Sequence, residues 1–100
     1  MQATDAHRRV YDLLVNKHPQ TGLSREELAE LSGLGDRQMR RVLEELRVIA
    51  ATKIHPRLGR PVVIGFDPQV ERYVAAQDAA QARRVMAYYA ARLRPMADSL

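Results

Sequence analysis

The chain has 100 residues and a formal net charge of +4; 46% of its residues are hydrophobic, 28% are charged, and none is cysteine. This composition predicts one folded domain with a single core and argues against a disordered chain. The lack of cysteine excludes disulfides, thiol catalysis and cysteine-based zinc fingers. No apolar run reaches the roughly 18 residues of a membrane span, and residues 1–10 lack the apolar segment of a signal peptide. We therefore expect a soluble, cytoplasmic protein.

The first two predicted helices are short. Residues 4–16 carry apolar or aromatic side chains at helical spacing, namely His7, Val10, Tyr11 and Leu14. Ser24 is followed three residues later by Glu27, a capping-box pattern that predicts the start of a second helix. Gly33 is expected to end that helix.

A third helix is predicted over about residues 36–47, with Asp36 as its N-cap. Its apolar stripe falls at positions i, i+3, i+4 and i+7, formed by Met39, Val42, Leu43 and Leu46. Its opposite face is basic. Since two short helices joined by a glycine-containing turn form a helix-turn-helix, residues 24–47 predict that motif.

The next segment changes to a strand-like pattern. Residues 50–54 and 62–66 are β-prone, and residues 55–61 between them are rich in Pro, Gly and Arg. This arrangement predicts a β-hairpin with a basic tip, which would form the wing of a winged helix-turn-helix over residues 53–61. The predicted fold class is therefore mainly α with a small β-hairpin, a winged helix-turn-helix followed by a long C-terminal helix.

That last helix is predicted from Pro68 to Arg94, with Asp67 as its cap. Its distal half carries an apolar stripe with no obvious partner inside so small a domain, formed by Val85, Tyr88, Tyr89 and Leu93. We expect residues 1–67 to form the DNA-binding domain and residues 68–100 to pair with a second copy in a homodimer. The alternative is a monomer in which this stripe packs against the first helix.

Positive charge is concentrated in residues 36–60, which hold seven of the sixteen Lys and Arg residues against three acids. A focused basic surface on a helix-turn-helix predicts double-stranded DNA as the partner, with the third helix in the major groove and the wing on the backbone or in the minor groove. The expected contacts are Arg37, Gln38, Arg40 and Arg41 on the helix, Lys53, Arg57 and Arg60 on the wing, and Ser24 and Arg25 before the second helix.

No catalytic or metal-binding constellation is apparent. The three histidines, His7, His18 and His55, have no His or carboxylate partner at a ligand spacing. We expect no enzyme activity and no cofactor, and no small-molecule effector is evident from the sequence. The alternative function is a protein-interaction module that works through the C-terminal helix. RNA binding is disfavoured because the aromatic residues are not clustered on strands.

Several of these segments resemble small winged helix proteins of bacterial phages and prophages. The resemblance rests on residues 28–30 (LAE), 36–41 (DRQMRR) and 67–73 (DPQVERY), and it covers roughly residues 8–94. It implies a DNA-binding role in transcription or replication control. The basic segment 56–61 departs from the family pattern. The helix after the wing also resembles that of dimeric metal-responsive repressors, but their cysteine ligands are absent.

Overall fold

The computed structural model describes the backbone of residues 4–98 and the side chains of residues 4–92. This part of the chain forms four α-helices and one two-stranded antiparallel sheet. In chain order they are α1 Asp5–Asp12, α2 Arg25–Ser32, α3 Asp36–Ala51, β1 Ile64–Asp67, β2 Arg72–Ala75 and α4 Ala79–Asp98. A π-helical turn, Leu13–Lys17, continues α1. The prediction of a mainly α protein with a small β-hairpin is confirmed.

Helix α1 begins where the sequence predicts, because Thr4 caps it. The Thr4 hydroxyl accepts a hydrogen bond from the His7 backbone N–H, and His7 Nδ1 accepts one from the Thr4 N–H at 2.9 Å. In neutral His7 the proton is then on Nε2, which donates to Glu45 Oε1 of α3 at 3.1 Å. One buried histidine thus helps to start α1 and joins it to α3.

The predicted ends of α2 are confirmed. The Ser24 hydroxyl accepts from the Glu27 N–H at 3.1 Å, and the Glu27 carboxylate accepts from the Ser24 N–H at 2.9 Å. Gly33 ends the helix with φ +72°, a left-handed conformation that suits glycine. Both ends are set by residues within one helical turn.

Helix α3 differs from the prediction at both ends. Gly35, not Asp36, is its N-cap, and Asp36 is its first residue. The helix also continues through Ala50 and Ala51, which the sequence assigned to a strand. The physical reason is that Ile49 and Ala50 extend the apolar stripe at helical spacing and are buried with it.

The sheet lies further along the chain than predicted. Residues 50–54 and 62–66 do not pair with each other as a hairpin; within residues 50–66 the chain pairs with itself only at the Ile54–Pro61 bridge. Strand β1 pairs instead with β2, in a register that sets Ile64 opposite Ala75 and Asp67 opposite Arg72. The predicted helix start at Pro68 is therefore wrong.

A tight turn at residues 68–71 explains the difference. The Asp67 carboxylate accepts from the Gln69 N–H at 3.0 Å, and the Asp67 carbonyl accepts from the Glu71 N–H at 2.8 Å. An Asp-Pro pair suits such a turn as well as a helix start. The outcome is decided by Tyr73, which exchanges two backbone hydrogen bonds, of 2.8 and 2.9 Å, with Leu23. This distant pairing draws residues 72–75 into the sheet.

Helix α4 therefore starts at Ala79, after Asp78, whose carboxylate accepts from the Gln81 N–H at 2.7 Å. It packs across β1, where Gly65 leaves room for the Val85 and Tyr89 side chains. No helix within residues 4–98 is both long and apolar enough to cross a lipid bilayer.

The core lies between α1, α2, α3 and the sheet. The largest fully buried apolar side chains of this core come from α1 and its π-helical turn, α2, α3 and β1. They are Val10, Leu14, Leu28, Met39 and Ile64. One side of α3 is therefore buried in the core. Its solvent-exposed side and its side next to α4 form the candidate sites described next.

Candidate nucleic-acid interface

The first two turns of α3 carry a polar face directed at solvent. Arg37, Gln38, Arg40 and Arg41 are all exposed, while Met39 between them is buried. Arg40 and Arg41 expose 66% and 80% of their side chains. The structure therefore brings together the four helix residues that the sequence singled out, on a rigid element whose opposite side is fixed by the core.

Asp36 organises the start of this surface. Its carboxylate accepts a hydrogen bond from Arg25 Nε at 2.6 Å and forms an ion pair with Arg40 at 3.1 Å. The Arg25 hydrogen bond is the main reason that the pKa of Asp36 lies below its usual value, and the same bond raises the pKa of Arg25. The predicted contact Arg25 is thus held beside the start of α3, on the same surface as Arg40.

Two other predicted contacts on this side have partners within the chain. Arg41 Nε lies 3.9 Å from Glu45, the carboxylate that also accepts from His7. The Ser24 hydroxyl accepts the Glu27 N–H, so it serves as a helix cap. Arg41 remains mostly exposed, and its ion pair with Glu45 is long and contributes little to stability.

The three basic residues of the predicted wing lie elsewhere. Arg57 donates to Asn16 of the π-helical turn at 3.2 Å, and Lys53 lines a cavity against α1 that includes Tyr11. These positions follow the C-terminal end of α3, a helix about 24 Å long at 1.5 Å per residue. The structure does not place Lys53 and Arg57 beside Arg37–Arg41. Arg60 is exposed in the same loop.

The hairpin that does form has a less basic tip. Its turn carries Glu71, and Arg72 at the start of β2 pairs with Glu27 at 3.3 Å and donates to the Gly22 carbonyl. These contacts place the hairpin beside the start of α2. The charge that the sequence assigned to a wing is therefore not on this hairpin.

A groove that the sequence did not predict lies between α3, the sheet and α4. It encloses about 630 Å³ and is lined by Arg25, Arg40, Leu43, Glu44, Arg47, Phe66, Tyr73, Tyr88, Tyr89 and Arg92. Positions 40, 44 and 47 share a helical face, a spacing visible in the sequence. Their partners from the sheet and α4 come from 19 to 52 positions away, so only the folded chain shows the groove.

The residues proposed for self-association are used within the chain. Val85 is fully buried, and the Tyr89 hydroxyl accepts a hydrogen bond from the Phe66 N–H at 3.1 Å. The Tyr88 ring lies 5.1 Å from that of Phe66. The premise that this stripe lacks an internal partner is therefore wrong for these three residues. The side chain of Leu93 lies outside the described residues.

Other chemistry has little support in the described side chains. No group of three His, Asp or Glu residues among them is placed to hold a metal ion. The one fully buried carboxylate among them, Asp67, bonds to Arg84 and Gln81 of α4 and to the turn, which is a structural role. Comparison of the chain with protein-family models, with curated proteins and with solved structures found no match.

Proposed function

We propose that this protein binds double-stranded DNA through the exposed face of α3. The observation that carries the proposal is the presentation of three arginines and one glutamine on the first two turns of a helix whose other side is packed into the core. A major groove about 12 Å wide admits such a helix, and Arg and Gln have the donors that pair with guanine and adenine edges. The partner is double-stranded DNA, and the binding is that of a transcription or replication regulator.

The fold that we propose is a winged helix-turn-helix with a different wing from the one expected. Helices α2 and α3 form the helix-turn-helix, and β1 and β2 form the wing, with Leu23 adding a short third strand through Tyr73. The wing tip is then residues 68–71. Since this tip carries no Lys or Arg, the proposal assigns the main contacts with DNA to the exposed arginines of α3 and not to the wing.

Dimerisation is a separate proposal that the packing does not strengthen. With Val85 buried in the chain, a two-fold contact would need another surface. A monomer with one recognition helix would bind a single half-site, whereas a dimer would select a palindrome. Selection of bound sequences from a random duplex pool therefore tests both sequence preference and pairing.

The decisive experiment is a fluorescence anisotropy titration of duplex DNA with the variant Arg40→Ala/Arg41→Ala at several salt concentrations. Two contacts worth about 1–3 kcal/mol each predict a loss of roughly 30-fold or more in affinity. If both are phosphate contacts, the slope of log K against log salt should also fall by about 1.8. Neither side chain is buried, so the variant should keep its melting temperature.

The matched control is Arg8→Ala/Arg83→Ala, which removes the same charge from exposed positions on α1 and α4. Arg8 lies beside the cavity at the C-terminal end of α3, away from Arg40 and Arg41. We expect this control to weaken binding by only a few-fold, through net charge alone. Equal losses in the two variants would show that α3 is not the recognition element.

A further inference from the structure

Arg47 is the side chain of the groove whose hydrogen bonding is incomplete. Its guanidinium carbon lies 3.8 Å from the centre of the Tyr89 ring, a stacking distance. Its Nη1 is buried and has no hydrogen-bond partner among the described residues. Because buried polar groups are ordinarily paired, this guanidinium at the groove has hydrogen-bonding capacity that the described chain does not use.

The charge around Arg47 is strongly positive. Four arginines and one glutamate line the groove: Arg25, Arg40, Arg47, Arg92 and Glu44. Asp36 pairs with two of them, Arg25 and Arg40, at one end. Arg92 donates to the Tyr88 hydroxyl, which is a neutral partner. Within the described side chains, neither Arg47 nor Arg92 forms an ion pair with a carboxylate. An anion placed between these two arginines would meet uncompensated charge.

The groove also presents aromatic rings. Phe66 lies 5.4 Å from Tyr73 and 5.1 Å from Tyr88, and Tyr88 lies 5.1 Å from Tyr89, in edge-to-face or tilted pairs. All four rings are half-buried, so each keeps part of its surface open. A planar ring of a ligand would find stacking partners next to the arginines. The volume of about 630 Å³ falls within the range of small-molecule sites.

The geometry points to a binding site in this groove for a small ligand that joins an anionic group to a planar ring, of the nucleoside phosphate class. Arg47 and Arg92 bind the phosphate, and the exposed parts of Phe66 and Tyr88 contact the base. Charge-assisted bonds from arginine to phosphate are short and strong, and base stacking on aromatic side chains adds to them. The site shares Arg40 with the exposed face of α3, but binding in the groove needs no DNA.

One consequence rests on the proposed function. Arg40 lines the groove and also belongs to the face proposed for DNA, so a bound anion would share that arginine with the duplex. Nucleotide and DNA should then compete. Nucleotide binding is measured in the absence of DNA, so a failure of the DNA proposal would leave the ligand site standing, and the reverse also holds.

The test is calorimetric titration of the full chain with ADP and GDP, compared with adenosine, guanosine and inorganic pyrophosphate. We expect saturable binding of at least one nucleotide. The matching nucleoside and pyrophosphate should each bind with an affinity lower by about tenfold or more. The variants Arg47→Gln and Arg92→Gln should each weaken nucleotide binding by about tenfold or more. Arg83→Gln, an exposed change on α4 outside the groove, should leave it within about twofold.

Three results would overturn the proposal. They are the absence of saturable binding at millimolar nucleotide, binding of pyrophosphate as tight as that of the nucleotide, and equal binding by Arg92→Gln and the unsubstituted chain. Thermal unfolding of each variant checks its fold. Arg92 is exposed, so its variant should fold even if Arg47→Gln, which loses the stack on Tyr89, does not.

Discussion

The buried carboxylate of Asp67 allows a specific test of how the hairpin is held against α4. The change Arg84→Met removes two charge-assisted hydrogen bonds, from Nε to Asp67 Oδ1 at 3.2 Å and from Nη2 to Oδ2 at 3.1 Å. Asp67 is fully buried, whereas Arg84 exposes 35% of its side chain. Methionine keeps much of the apolar stem of Arg84, so the experiment isolates the loss of the charged partner.

The expected cost follows from what remains around the carboxylate. Breaking a buried ion pair by removing one partner costs about 3–5 kcal/mol. Here the Gln69 N–H and the Gln81 side chain still donate to Asp67, and solvent reaches Arg84, so we discount that range. The unfolding free energy should fall by about 2–3 kcal/mol, which for a domain of this size lowers the melting temperature by roughly 10–20 °C.

The pH dependence identifies the cause. Burial by itself raises the pKa of Asp67, but the hydrogen bonds from Arg84, Gln69 and Gln81 outweigh it and hold the pKa below its usual value. A carboxylate with a lowered pKa stabilises the fold above its unfolded pKa and loses that contribution as pH falls through the folded pKa. Without Arg84 a large lowering contribution is lost, so the pKa of Asp67 should be higher than in the unsubstituted protein. The stability difference between the two proteins should therefore be largest near neutral pH and shrink in acid.

Urea unfolding followed by circular dichroism, at about pH 7 and about pH 3, measures the loss of unfolding free energy and its dependence on pH. Arg83→Met, at an exposed neighbouring position on α4, serves as the control and should stay within about 0.5 kcal/mol of the parent. A difference that is equally large at both pH values would refute the assignment of the cost to the Asp67 charge. A loss below about 1 kcal/mol would show that the remaining donors satisfy the carboxylate.

Two further predictions concern the backbone near α2, and both are measured by chemical unfolding. Gly22→Ala should destabilise the fold by about 2 kcal/mol or more beyond the matched change Gly33→Ala. Both residues have positive φ, but only at Gly22 would a Cβ fall 2.6 Å from the Tyr73 carbonyl oxygen. Equal losses in the two variants would mean that the sheet moves away without cost. Ser24→Ala should cost about 1 kcal/mol because the Glu27 N–H loses its acceptor. Ser24→Gly should cost only about a few tenths of a kcal/mol, because glycine is well tolerated at an N-cap. A loss near zero for Ser24→Ala would contradict the capping-box assignment.

Much of the helical part of the fold could be predicted from short-range patterns. The Ser24–Glu27 capping box and the left-handed Gly33 involve residues at most a few positions apart, so the short sequence pattern is enough to identify them. The exposed face of α3 follows from helical periodicity once Met39 and Val42 are assigned to the core. These features depend on local geometry.

The position of the sheet could not be predicted in the same way. Residues 62–66 are β-prone, but the choice between pairing with residues 50–54 and pairing with residues 72–75 depends on what else each segment contacts. Ala50 is drawn into the core as part of α3, and Tyr73 bonds to Leu23, fifty positions earlier. Both contacts favour the second pairing.

The same distinction applies to the two candidate sites. Helical spacing within the sequence was enough to bring Arg37, Gln38, Arg40 and Arg41 onto one exposed surface, because a single helix carries them all. The groove around Arg47 required α4 to cross the sheet, which depends on the fit of Val85 and Tyr89 over Gly65. Local hydrogen bonding and periodicity therefore determined the helices and the polar face of α3, whereas packing between distant segments decided where the strands pair and which arginines share a groove.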